Sequence, residues 1–448
     1  MDYSPATHSR LSVHVQRSWS SVPQGNLVPH GIVYFWRDSP QYKVLNLNAI
    51  INTSPSHGEP KVASAWYAGW HSDSTPGFPL SAVSWSKYTH LTYSFAETTS
   101  DVNFLDLSGS NPDLLPQFVS EAHKNGVKAL VSIGGWTGST GFSTNVGSAD
   151  NRTAFVKTVL NLAKKYKLDG IDFDWEYPAN QGIGCNAINP NDTANFLAFL
   201  QELRKDSLGS TLILSAAVAT VPFFGPNGSP LADVSGFAKV LDYIAIMNYD
   251  IWGPWSSSVG PNAPLNDTCA SPANQQGSAV SAVQRWNQAG IPFHQIVLGV
   301  AAYGHSFKVS KADAFVQGSN TQLVAYPSFD ATAHPSGDAW DDGAGVDECG
   351  NAQAPGGDVD FWGMVAGGYL KADGTPNDGI AFRFDSCSQT PYAYNSTTEI
   401  MVSFDNAQSF AAKGNFIREA NLRGFATWEA GGDFNDILLD SIRKAAGF

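Results

Sequence analysis

Eight short runs rich in β-branched and aromatic residues recur from about residue 61, separated by segments long enough for a helix. They are KVASAWYAGW (61–70), HLTYSFAE (90–97), VKALVSIGGW (127–136), DGIDFDWEY (169–177), TLILSAAVA (211–219), LDYIAIMNYD (241–250), QIVLGVAAYG (295–304) and RGFATWEAGG (423–432). Helical patterns fall at 116–126, 151–167, 192–206, 277–290 and 406–421. Apolar strands alternating with helices predict a parallel sheet, because parallel neighbours need a crossover. Eight such units predict an α/β fold, the (β/α)8 TIM barrel. An open doubly wound sheet is the alternative, but no GxGxxG follows the first run to suggest a dinucleotide version. The gap between the seventh and eighth runs is about 120 residues, far longer than the others. Its Gly/Asp-rich turns and β-like pieces predict a small α+β insertion domain at 308–395. The barrel then takes 61–307 and 396–448. Residues 1–60, polar and rich in Ser and Pro, read as a poorly patterned N-terminal extension.

The fourth run crowds Asp169, Asp172, Asp174 and Glu176 among Ile171, Phe173 and Trp175. Side chains on a strand alternate faces, so Asp172, Asp174 and Glu176 share one face and the apolar three share the other. In a barrel the apolar set turns to the helices. The acids then climb the interior toward the C-terminal mouth, where barrel chemistry sits. Three carboxyls in a partly dry row cannot all ionise cheaply, so at least one proton should be retained near neutrality. A retained proton suits a general acid for glycoside cleavage. The alternatives are a calcium or magnesium site and a buried polar network without chemistry, although calcium prefers ligands from a flexible turn.

The formal net charge is −14, which argues against nucleic acid and against an anionic membrane surface. No run approaches the length of a membrane span. Thirteen tryptophans either fill the core or stack on flat ligands such as sugars. Cys185, Cys269, Cys349 and Cys387 form no close pair, which excludes a CxxC zinc site, and four cysteines leave three disulfide pairings open. No cofactor or metal is expected. N-x-S/T sequons stand at Asn52, Asn151, Asn191, Asn227, Asn266 and Asn395, which favours a secreted glycoprotein. Against this, residues 1–25 lack the apolar run of a signal peptide.

Several segments in order resemble glycoside hydrolase family 18, the chitinases. DGIDFDWEYP (169–178) looks like that family's DxxDxDxE signature, SIGGW (132–136) its third-strand segment, YSFAE (93–97) its second-strand motif and MNYD (247–250) its sixth. GFATWEAGGDF (424–434), PYAYN (391–395) and FWGMVAGGYLKADG (361–374) resemble the eighth strand, its run-in and part of an α+β insertion. The resemblance implies a retaining chitinase in which the substrate's own acetamido group is the nucleophile. It gives Glu176 the role of general acid/base and Asp174 that of holding the acetamido N–H. Asp172 would share a hydrogen bond with Asp174, Tyr249 would bond the acetamido group, and Asp169 would be structural. It implies a substrate-binding set of Trp428, Trp136, Met247, Asp250, Trp66, Phe95, Tyr177 and Gly135. Trp252 and Trp255 lie near the same strand ends, as cleft or core residues. Chitin or chito-oligosaccharides are the implied partner, with a monomer acting outside the cell. One departure stands out: YGHSF (303–307) places His305 where the family usually has Arg beside the residue matched by Asp250.

Overall fold

The computed structural model describes residues 60–448, so the extension read at 1–60 lies, but for its last residue, outside the described residues, as does Asn52. The eight runs become β1 (Val62–Ala68), β2 (His90–Thr98), β3 (Lys128–Gly134), β4 (Gly170–Asp174), β5 (Ile213–Val218), β6 (Tyr243–Ile246), β7 (Ile296–Ala301) and β8 (Gly424–Trp428). Each pairs in parallel with the next, and β8 pairs with both β7 and β1, which closes the ring. The strands are buried on both faces, outside by helices and inside by packed side chains, and are largely apolar for that reason. On β4 the division is the expected one. Phe173 packs on Phe196 and Phe199 of the helix Asp192–Leu203, and Trp175 on Phe142 and Phe196, while the acids turn inward.

Helices Leu115–Lys124, Ala149–Tyr166, Asp192–Leu203, Ala279–Gln288 and Ala407–Glu419 match the five helical patterns within a few residues. Their ends follow from local chemistry. Ser148 accepts from the Asn151 N–H, and Ser278 and Asn406 each close a reciprocal capping box with a serine three residues on. The β5–β6 connection carries only the single 3-10 turn Phe237–Lys239. No helix among the described residues is long and apolar enough to cross a membrane.

Between β7 and β8 stands an α+β insertion with a five-stranded antiparallel sheet. Its strands, in spatial order, are Asp358–Asp360, Tyr303–Lys308, Ile400–Ser403, Thr390–Asn395 and Ile380–Asp385. The sheet reaches beyond 308–395 at both ends because Tyr303–Lys308 leaves β7 almost at once and pairs with Ile400–Ser403. Of the three pairings the sequence left open, the structure has Cys185–Cys349 and Cys269–Cys387.

Candidate active site

The site is built on β4, and register explains its lowest layer. Asp172 lies level with Ser132 on β3 and Ser215 on β5. Both hydroxyls donate to its carboxylate, at 2.8 and 2.7 Å, and the Trp66 indole N–H adds a third bond at 3.1 Å. Burial raises the Asp172 pKa, and these three donors oppose it. Both oxygens of Asp172 are thus held by donors from its own layer. The charge of Asp172 in turn bears on Asp174.

Asp174, one layer up, is 4% exposed, and its Oδ1 accepts no hydrogen bond from any protein group. Burial holds its pKa well above the usual carboxylate range, with Glu176 and Asp172 adding to the effect. Glu176 stands highest. Burial pushes it to about 7, with the Tyr177 side chain favouring the anion and the charge of Asp250 opposing it. The backbone around Glu176 is held in place. Its N–H donates to the Ser139 hydroxyl at 3.0 Å, and its carbonyl accepts from the Asn186 amide at 2.7 Å. Tyr249 and Tyr177 keep their phenolic protons, because burial and the surrounding carboxylates raise both far above 10.

Aromatic rings make the floor. Trp428, at the end of β8, stacks on Phe95 at 5.5 Å and 17° and lies 6.1 Å from Trp66. Met247 packs in the same group as Trp66 and Trp428. Trp136 stands half-exposed at the rim. Gly135 brings the chain close to Phe95: a Cβ there would meet the ring at 2.9 Å. Trp66, Phe95, Trp136, Asp174, Glu176, Met247, Tyr249, Asp250, Tyr303 and Trp428 enclose one cavity of about 200 Å³. Size alone does not mark the site. A hollow of about 720 Å³ beside Leu80, Trp85 and Gln117 is wider, but its only charged groups are Glu121 and Lys124, paired with each other at 3.1 Å.

His305 takes a definite place. It is 3% exposed, with Nε2 at 2.8 Å from Asp250 and Nδ1 at 2.7 Å from Asp358. The second contact is an ion pair whose angle is poor for a hydrogen bond. Burial disfavours the charge, but the two carboxylates outweigh it and push the imidazole to about 10. The Tyr303 hydroxyl donates to the same Asp250 oxygen at 2.7 Å.

Some expected residues lie apart from the cavity. Asp169 sits at the opposite end of β4, ion-paired with Lys128 at 2.9 Å and His123 at 2.8 Å. Trp252 is buried against Tyr326 and belongs to the core, whereas Trp255 is exposed over the His305 ring edge. Sequence reasoning missed Tyr303, Ser132, Ser215, Ser139 and Asn186. Tyr303 ends the seventh run and could have been found by its place at the mouth.

The family model described as glycosyl hydrolases family 18 matches residues 63–433. A protein named chitinase-like effector from Moniliophthora roreri is 58% identical over 405 residues, 90% of this chain and 98% of its own. A protein of the same name from Moniliophthora perniciosa is 55% identical over 387 residues, 86% of this chain and 87% of its own. The crystal structure of a chitinase from Rhizomucor miehei superposes with a TM-score of 0.77 at 32% identity, covering 86% of this chain and all of that one.

Proposed function

The chain belongs to family 18 of the glycosyl hydrolases and is a glycoside hydrolase of the chitinase type, and from that premise we propose that it cuts β-1,4-linked N-acetylglucosamine polymers with retention, using the substrate's acetamido group as nucleophile. The observation that carries this reading is the row of buried acids. Glu176 is protonated up to about pH 7, beside an Asp174 whose Oδ1 has no protein donor. An orphaned buried acceptor is costly unless a donor arrives, and an acetamido N–H is such a donor.

The steps follow from these positions. The acetamido oxygen bonds to C1 as the glycosidic C1–O bond breaks, and Glu176 gives its proton to the leaving oxygen. Positive charge develops on the acetamide, where Asp174 stabilises it. Tyr249 donates its hydroxyl proton toward the acetamido oxygen. Water then attacks C1, its proton returns to Glu176, and the ring formed by the acetamide opens. Two inversions give a β-anomer. Asp174 and Glu176 titrate as a pair, so one proton serves both tasks. Trp428 and its neighbours supply the flat surface beneath the sugar. A secreted protein is in keeping with two disulfides, which persist in oxidising compartments.

A second reading is a protein that holds chitin without cutting it, since the two relatives above are named chitinase-like. The intact, protonated Glu176 speaks against it. Hydrolysis of a chitin tetramer, with product anomers followed by NMR, separates the two. We expect early β-anomers from wild type and a rate loss of roughly two orders of magnitude or more in Glu176→Gln. A tetramer bound but uncut by wild type would support the second reading. Early α-anomers would overturn the acetamido mechanism.

A further inference from the structure

One segment of the β7–β8 connection leaves the body of the insertion. It departs at Asp342 and returns at Gly356, whose N–H donates to the Asp342 carbonyl at 3.0 Å. Between these points Gly345–Val346 pairs with Ala352–Gln353 in a small exposed hairpin. Its turn carries Cys349, bonded to Cys185 in the loop that follows Glu176. In a closed ring of eight strands, the loop after β4 lies across the mouth from the β7–β8 connection. The hairpin therefore reaches from the β7–β8 connection to the loop after β4 and is covalently fixed there.

Contacts show which way it passes. Just before the hairpin, the Trp340 ring stacks on His71 at 3.9 Å, and its indole N–H donates to the Pro76 carbonyl at 2.8 Å, both beyond the end of β1. In the hairpin turn, Glu348 lies close enough to Glu97, on β2, to add to the burial that raises the Glu97 pKa. Cys349 then meets Cys185. The path thus runs over the ends of β1 and β2 to the β4 loop. His71 follows Trp70, and Glu97 lies two residues after Phe95, so the path skirts the aromatic residues at one end of the cleft. We propose that this disulfide-pinned hairpin, residues 342–356, bars one end of the cleft, so that a polymer is taken by its terminus rather than in mid-chain. The proposal rests on the reading of the cleft as a chitin site. A groove open at both ends accepts a long chain laid in from above. A bar tied at both ends does not lift by side-chain motion, so a chain must either stop at it or thread beneath it, and both require a free end.

The hairpin contributes no core residue, and its ends already meet, so it can be excised. The variant replaces Gly343–Pro355 with two glycines and carries Cys185→Ser; Cys185→Ser with Cys349→Ser is the milder form if excision fails to fold. Soluble glycol chitin is followed by viscosity and by reducing ends, with the chitin tetramer as reference. We expect all forms to cut the tetramer alike. Wild type should release reducing ends with little fall in viscosity, and the opened forms should lower viscosity several-fold more per bond cut. If wild type thins the polymer as steeply as the opened forms, the bar is overturned. A binding arm in the Glu176→Gln background does not depend on cutting. There, opening should raise affinity for glycol chitin relative to tetramer, and an unchanged ratio would overturn the proposal. Failure of every form to cut the tetramer counts against the chitinase reading alone.

Discussion

Glu176 carries its proton up to about pH 7, so kcat/KM should decline on the alkaline side with a midpoint near that value as the acid is lost. Asp250 is one of the charges that raise it, so Asp250→Asn should move that limb to lower pH; a pH profile of tetramer hydrolysis checks both. His305 gives a second titration with the opposite consequence. Its pKa rises from 6.5 when free to about 10 in the fold, so the folded chain binds more protons between those values. The stability it contributes is complete below pH 6.5 and is lost as pH rises through about 10. Between pH 7 and 10, the Tm of wild type should fall more steeply than that of His305→Gln; parallel profiles would show that the imidazole is not held as a cation. At this scale the sequence was legible where alternation alone decided the matter. Asp172 and Asp174 share a face of β4, because period two leaves no other choice, and Glu176 follows just past the end of the strand. Ser132 and Ser215 were not legible, because their bonds to Asp172 depend on the register of three strands that are distant in sequence.

Among the elements, the eight strands could be read because burial on both faces keeps each run short and rich in apolar residues. The turn at the end of β3 is less obvious. Gly134 and Gly135 both have positive φ, at 108° and 86°, and a Cβ on Gly134 would lie 2.1 Å from the Asp174 carbonyl. Gly135 donates its N–H to that same carbonyl at 2.9 Å. Gly134→Ala should therefore cost at least about 1–3 kcal/mol in strain and displace Asp174 as it does so. Denaturant unfolding measures the first effect, and a fall in kcat for the tetramer the second. The insertion was recognisable from the length of its gap, but its edges were not. A strand that continues directly from the barrel carries no change of composition where one sheet ends and the next begins.

For the molecule as a whole, the acidic charge and the absence of a nucleotide-binding loop narrowed the choices, yet cysteine spacing said nothing about which pairs would form. Pairing depends on which loops the closed ring brings face to face, and that is a property of the complete fold. The ring has a further consequence. β1 is flanked by β2 on one side and by β8, the final strand of the chain, on the other. The same β8 ends in Trp428, under the cleft. While the protein is being synthesised, β1 must keep one edge unpaired until residues 424–428 have emerged. The ring therefore cannot close, and the cavity cannot gain Trp428, before that strand has been made.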